Sequence, residues 1–259
     1  GNIWAGSYRG LYLITNSNRE SEEALLFRSD PEKPEGLTDD VITAFLLDRN
    51  KHFWVGTEDG GVLRLSGDYN AIMRKGDKLS TNDFEFEKVS ISKQKIGGSE
   101  INGIFEQSDV SVWFATKGQG IQLWKPDLNE SQTINKESGL DASNVFGIVP
   151  DDLGNLWMST NKGIARYDAV NNDFKFYRPS DGIQGNVFMV NSYYSDQEGY
   201  IYFGGRNGFT RFKPERINDN NVLPRIHLKG MAFADKQVGI GDTLHRKVIM
   251  PGSLHTLDE

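Results

Sequence analysis

One short pattern recurs along this chain and constrains its fold more than any other feature. An apolar residue, Trp, a small or apolar pair and Thr or Ser lead through polar residues to Gly and an apolar alternation. It reads Ile3-Trp4-Ala5-Gly6-Ser7 to Gly10-Leu11, then Phe53-Trp54-Val55-Gly56-Thr57 to Gly60-Gly61-Val62. It returns as Val112-Trp113-Phe114-Ala115-Thr116 to Gly120-Ile121 and Leu156-Trp157-Met158-Ser159-Thr160 to Gly163-Ile164, and last as Ile201-Tyr202-Phe203-Gly204-Gly205 to Gly208-Phe209. The anchors at 4, 54, 113, 157 and 202 are spaced by 50, 59, 44 and 45 residues. A period near 44 residues with insertions is the size of a four-stranded propeller blade.

Upstream of most anchors lies a short apolar run: Val41 to Leu47, Ile101 to Phe105, Val145 to Val149 and Val187 to Val190. An Asp-containing turn follows in most copies, as in Asp152-Leu153-Gly154-Asn155 and Asp196-Gln197-Glu198-Gly199. The unit therefore reads inner strand, Asp/Gly turn, Trp strand, polar turn closed by Gly, alternating strand, outer strand. Such sheets cannot bury both faces alone, and radial stacking into an all-β propeller covers them. The repeated Trp reads as a packing plug between blades. The polar stretch Ser66 to Gly98 reads as an extended outer hairpin or loop that accounts for the longest spacing.

The first unit opens at its Trp strand, with no inner strand before it, so the reading is either a small ring or part of a longer chain, with the second favoured. After Phe212-Lys213-Pro214 the repeat stops, and Asn218-Asp219-Asn220-Asn221 marks a boundary. The division is blades over 1–221 and, over 222–259, the opening strands of a truncated β-sandwich, too short to stand alone.

Composition narrows the chemistry. Of 259 residues 28 are Gly, none is Cys, and the net charge is −7. Disulfides, thiolate metal sites and Cys nucleophiles are excluded, and a nucleic-acid surface is disfavoured for want of a basic face. No apolar run is long enough to span a membrane, and the first ten residues do not read as a signal peptide. Histidines 52, 227, 245 and 255 have no metal-ligand spacing, and neither a P-loop nor a nucleophile elbow occurs. Metal, cofactor and catalytic residues are all read as none. The adjacent carboxylates Asp151 and Asp152 invite a glycosidase reading, but they sit in a strand-linking turn and read as solvated. Pro150 to Trp157 nearly matches the Asp-box turn of sialidase-like propellers, with Pro150 at its Ser position, and that turn is itself structural.

The chain resembles the two-component regulator propeller family, the sensor region of hybrid histidine kinases of Bacteroidetes. The resemblance rests on the turn and strand Asp152 to Trp157, on Trp54 to Val62, on Gly139 to Val145 and on the final unit from Gly182 to Pro214 with Tyr202-Phe203-Gly204-Gly205 and Asn207-Gly208-Phe209. The tail from Pro224-Arg225-Ile226 to Val238-Gly239 resembles the start of the family's "Y_Y_Y" immunoglobulin-like domain. The third unit departs from the pattern at Val112, Ala115 and Gln119.

The resemblance implies a periplasmic propeller, part of a seven-bladed ring, that senses an oligosaccharide and signals through a sandwich and a transmembrane helix outside these residues to a cytoplasmic kinase. It also implies a homodimer in the full-length protein. In a four-stranded meander the turn entering the inner strand and the turn after the Trp strand share one rim. Planar amides, carboxylates and Arg there suit sugar hydroxyls, and Tyr8 supplies an aromatic face. The candidate ligand residues are Arg9, Asp40, Glu58, Asn102, Lys117, Asn144, Lys162, Asn186, Arg206 and Asn207. The reading is a non-catalytic, oligosaccharide-sensing module, against a sialidase-like enzyme or a protein-interaction scaffold.

Overall fold

A computed structural model of the chain describes residues 2–15, 24–89, 100–107, 110–125 and 130–217, together with the backbone of four short strands between 231 and 248. Two compact units result, Gly1–Ile217 and Asn218–Glu259. In the second, β19 (Met231–Phe233) pairs with β20 (Lys236–Val238), and β21 (Thr243–Leu244) with β22 (Lys247–Val248). The boundary residues Asn218 to Asn221 and the Pro224 to Leu228 segment lie outside the described residues.

The first unit is a succession of antiparallel sheets, each a meander. The first sheet is β1 (Ile3–Ser7), β2 (Gly10–Ile14) and β3 (Leu25–Phe27). The second is β4 (Ile42–Leu47), β5 (Phe53–Thr57), β6 (Val62–Leu65) and β7 (Phe86–Lys88). The third is β8 (Ile101–Glu106), β9 (Val112–Thr116), β10 (Ile121–Lys125) and β11 (Glu130–Ile134). The fourth is β12 (Val145–Pro150), β13 (Leu156–Thr160), β14 (Gly163–Asp168) and β15 (Asp173–Tyr177). The fifth is β16 (Phe188–Ser195), β17 (Ile201–Gly205) and β18 (Gly208–Phe212). These are propeller blades, with β4, β8, β12 and β16 as inner strands.

Apolar clusters lie between blades rather than within them. One joins Trp113, Ala115 and Leu123 of the third blade to Ile148, Leu156 and Met158 of the fourth. The others join the first to the second, the second to the third and the fourth to the fifth. The middle strands β5, β9 and β13 are buried at every position. Trp54, Trp113 and Trp157 are 1%, 3% and 1% exposed, each packed toward the next blade as the plug the repeat predicts. An arginine from the adjacent strand covers the indole: Arg64 lies 5.7 Å from the Trp54 ring centre and Arg166 5.9 Å from that of Trp157.

Two turn devices make the blades. After the middle strand, the hydroxyl of Thr57, Thr116 or Thr160 donates to the carbonyl of Gly61, Gly120 or Gly163, closing a tight turn. Gly163 holds φ +115°, and a Cβ there would overlap the carbonyl of Tyr177 on the outer strand. Only glycine meets both demands. Before the middle strand, the same turn opens at Asp48, Gln107, Asp151 and Asp196. Its first N–H donates to the carbonyl four residues on, and its fourth residue has positive φ. That residue is glycine in the later blades (Gly154, Gly199) but Lys51 and Val110 in the earlier ones, at φ +68° and +61°.

Inner strands share an irregularity. A register shift falls at Thr43, Asn102 and Phe146, each followed by a small residue: Ala44, Gly103 and Gly147. In β16 the shift is wider, running from Phe188 to Tyr193 with Asn191 at φ +58°. Tyr193 crosses onto the two glycines, and a Cβ at Gly147 would collide with its ring. The Asn191 amide donates to the carbonyl of Thr43, 3.3 Å away, in the second blade.

The stretch expected as an extended outer hairpin or loop over Ser66 to Gly98 is otherwise. It holds helix α1 (Tyr69–Met73), two 3-10 turns and then β7, the fourth strand of its blade. The helix forms because the Asp68 carboxylate caps the N–H groups of Asn70 and Ala71. It stays because Tyr69, Ile72 and Met73 pack on the first interblade cluster and Trp4 donates its indole N–H to the Tyr69 hydroxyl at 3.0 Å. The polar composition concealed this amphipathic turn. Residues 90–99 lie outside the described set.

Substitution at the strained turn positions tests this account. Val110→Gly is expected to stabilise the chain by about 1 kcal/mol, because a left-handed L-residue costs about 1–2 kcal/mol and the added chain entropy of Gly offsets only part. Lys51→Gly should gain less, its side chain being unbranched. Gly163→Ala should destabilise by about 2 kcal/mol or more, combining strain and overlap. Urea midpoints of the three variants against the parent check all three signs.

Candidate functional site

The two turn sets expected on one rim are brought together, by the same backbone bond in the second to fifth blades. The residue after the middle strand donates its N–H to the carbonyl just before the inner strand. The pairs are Glu58 to Val41 (3.1 Å), Lys117 to Glu100 (2.9 Å), Asn161 to Asn144 (3.2 Å) and Arg206 to Val187 (3.3 Å). Neighbouring blades are joined as well, since the N–H groups of Gly118 and Gly120 donate to the carbonyl of Ser143. The backbone of this rim is fixed while the side chains at equivalent positions differ in sign and size.

The candidate side chains fall into three groups. Arg9, Glu58, Asn186, Arg206 and Asn207 stand in the rim turns with no side-chain hydrogen bond or ion pair among the described residues, beside Tyr8, which is 84% exposed. Asp40, Lys117, Asn144 and Lys162 are on the rim but engaged. Asp40 accepts the Ser29 N–H at 2.7 Å. Lys117 pairs with Glu100 at 2.5 Å and Lys162 with Asp141 at 2.6 Å, and Asn144 is tied through its backbone to Asn161. Asn102 is the exception: it sits in the bulge of β8, 1% exposed, and its amide donates to the carbonyl of Val145 at 2.8 Å. The bulge turns that side chain inward, which a strand-entry reading from sequence could not foresee.

Electrostatics ties the rim across blades. The Lys117 ammonium is held above its usual pKa first by the hydrogen bond to Glu100 and its charge, with Glu58 and Asp59 of the preceding blade adding to it. The Asp141 carboxyl is held below its usual value, chiefly by the Lys162 hydrogen bond. Sequence reading missed the apolar members at the fifth blade: Val187, Met189 and Phe209 are 51%, 50% and 65% exposed. No signal in the sequence marks them, since other blades carry apolar residues at the same positions, as Val41 and Ile164 do, and only their exposure differs.

The opposite rim carries the Asp turns and is structural. Oδ1 of Asp151 accepts the N–H groups of Leu153 (3.0 Å) and Asn155 (2.8 Å). Its Oδ2 accepts the Asn155 amide and the Trp157 indole N–H, both at 2.9 Å. Asp48 repeats this with His52 and Trp54, and Asp196 with Glu198, Tyr200 and the Tyr202 hydroxyl. In the third blade, where Gln107 stands in place of Asp, the Ser111 hydroxyl accepts the Trp113 indole N–H at 3.2 Å. With both oxygens committed, Asp151 is a fastening for the tryptophan, and Asp152 beside it is exposed. Among the described residues no cluster of His, Asp or Glu is arranged to hold a metal ion.

Residues 36–59, the second blade's entry and Trp strand, match the family model described as two component regulator propeller. A histidine kinase P4 of Formosa agariphila is 27% identical over 240 residues, covering 92% of this chain and 16% of that protein. The extracellular domains of two hybrid two component systems from B. thetaiotaomicron share the fold, with TM-scores of 0.68 and 0.65 at 25% and 22% identity. They are matched over 93% and 83% of this chain and 31% and 28% of their own lengths. The chain thus spans less than a third of each of these relatives. No helix among the described residues is long and apolar enough to cross a membrane.

The fastening role of the Asp turns has a pH signature. Burial pushes the Asp196 carboxyl upward, but hydrogen bonds from the Tyr200 N–H, the Tyr202 hydroxyl and the Glu198 N–H, with the charge of Arg211, outweigh it and leave the pKa lowered. A group whose folded pKa lies below its unfolded value of about 3.9 contributes stability in full above that pH and loses it as pH falls through the folded value. Asp196→Asn is therefore expected to be less stable than the parent at pH 7 and to lose less stability between pH 5 and pH 3. Urea titrations at the three pH values measure this, and equal pH slopes would contradict it.

Proposed function

We propose that this chain, residues 36–59 of which match the two component regulator propeller model, is the ligand-sensing part of a histidine-kinase sensor. One observation carries the reading. Glu58, Lys117, Asn161 and Arg206 occupy the same position in successive blades and make the same backbone bond. Their side chains are therefore free to differ without disturbing the fold, as a recognition surface requires and a purely structural turn does not. The relatives supply the setting: a histidine kinase and the extracellular domains of hybrid two component systems.

The ligand is an oligosaccharide. Arg206 donates to hydroxyl pairs, Asn207 and Asn186 both donate and accept, Glu58 accepts, and the exposed rings of Tyr8 and Phe209 offer apolar faces to sugar C–H groups. Binding leaves the sugar intact, since Asp151, one half of the carboxylate pair on the opposite rim, is committed to its turn and to Trp157. The region sits in the periplasm, works as a homodimer in the full-length protein, makes no nucleic-acid contact and passes its signal across the inner membrane to glycan-utilisation genes. Residues 222–259 open a sandwich that relays it. A ligand shifts such an equilibrium only by its differential affinity for two arrangements.

Thermal-shift measurements against an oligosaccharide panel, with product analysis of the same wells, test this. A ligand at about 100 times its Kd should add about 2.7 kcal/mol of stability. Arg206→Ala with Asn207→Ala should abolish the shift without altering the unliganded midpoint. Cleaved sugar would replace the sensor with an enzyme, and a shift unaffected by the rim variant would move the site elsewhere.

A further inference from the structure

The regularity of the repeat makes one departure from it conspicuous. Between its third and fourth strands the second blade inserts residues 66–85, where the fourth blade turns within residues 169–172. Insertions confined to one repeat of an array commonly build its binding face. This one is ordered. Asp68 caps α1, the Ser80 N–H and hydroxyl are held by the Asp83 carboxylate, and Lys75 pairs with Asp83. Opposite lies the 28–37 connection from the first blade. Its Ser29 and Leu37 form a bridge, closing a loop of two consecutive turns (Lys33 N–H to the Asp30 carbonyl, Gly36 N–H to the Lys33 carbonyl, both 2.9 Å) that contains Pro31 and Pro34. The Phe86 N–H, donating to the Glu35 carbonyl at 2.6 Å, staples this loop to the start of β7, where the insertion ends.

Between these walls is a cleft of about 490 Å³, within the range of about 300–1,000 Å³ typical of small-molecule sites. Its floor is aromatic, with Phe27 and Phe84 edge to face at 4.9 Å. Its sides carry Arg28, Lys33, Glu35 and Glu85, none in a side-chain hydrogen bond or ion pair among the described residues, together with the amide of Asn82. Two cations and three carboxylates line one cleft, and of these only Asp30 is engaged among the described residues, its Oδ1 accepting the Glu32 N–H at 3.0 Å. Elsewhere on the same blade, opposite charges pair, as Arg64 does with Glu87 and Lys75 with Asp83.

We infer that this cleft is a second binding site, separate from the rim, for a short uncharged saccharide. A mixed set of charged donors and acceptors around an apolar floor suits a ligand whose hydroxyls both donate and accept. An anion would face the three carboxylates, and a cation the two basic groups. Both walls are set before binding, which lowers the entropy a ligand must overcome. The inference goes beyond the rim reading and shares none of its residues.

The test takes the whole chain and follows xylotriose, cellotriose and galactotriose by saturation-transfer NMR and titration calorimetry, with glutamate as a zwitterionic control. The expected result is a trisaccharide whose affinity falls about tenfold or more in Asn82→Ala/Glu85→Ala. That affinity should be unchanged in Arg206→Ala/Asn207→Ala. Thr81→Trp, which obstructs the cleft from its exposed lip, should lose binding while keeping the parent circular dichroism. Binding lost only in the rim variant overturns the cleft and leaves the proposed function standing. Binding of glutamate alone overturns the ligand class. Absence of trisaccharide binding in the folded parent overturns the site.

Discussion

A carboxylate holding an indole N–H is the interaction on which the rest of this structure depends. Each blade must present a large aromatic ring to the next, and tryptophan carries a polar N–H that cannot be buried unbonded without a penalty of about 1–3 kcal/mol. Asp48 and Asp151 meet that need at 2.9 Å and spend their remaining lone pairs on the N–H groups of the turn between them and the tryptophan. One side chain thus sets the hairpin, orients the plug and satisfies the buried donor. The third blade shows the arrangement is a constraint and not a residue preference: without the aspartate, a serine one residue before the strand takes the indole instead. In the fifth blade the ring is tyrosine, and its hydroxyl reaches the same oxygen.

Much of this was legible in the sequence, for a definable reason. The Trp–Gly–Thr–Gly module records tertiary constraints locally, because the plug, the closing hydroxyl and the left-handed glycine fall within a few residues of each other. Strand order and the shared rim followed from counting turns. What stayed hidden involves side chains that reach across blades or depart from the period. Asp151 read as half of a solvated pair because its partner, the Trp157 indole, is six residues away and its role is visible only in three dimensions. Asn102 read as a rim residue because a one-residue bulge, which inverts a side chain, leaves no mark in composition. The helix within the second blade's insertion was concealed among Gly, Asp, Lys and Asn, and only its burial of Tyr69 and Ile72 against the first interblade cluster explains why it forms.

The rim and the insertion divide labour differently. On the rim, identical backbone bonds under dissimilar side chains separate the fold's requirements from those of recognition, so specificity can change one blade at a time. The insertion adds a walled volume that the repeat itself does not generate, and it carries its own caps and ion pair. A sensor built this way can gather chemically distinct contacts on a scaffold whose stability rests on the middle strands.

The wide irregularity in β16 has a consequence for how the unit comes apart. In an array whose repeats touch only their neighbours, unfolding begins at an end and advances blade by blade, with each interface failing in turn. Here Tyr193 lies on the third and fourth blades and Asn191 reaches a carbonyl of the second. The last blade is therefore bolted to the middle of the array, and peeling it away first would break contacts with three others at once. Pulled from its C-terminal side, this first unit should yield in one large event rather than a staircase, behaving mechanically as a single body despite its modular sequence.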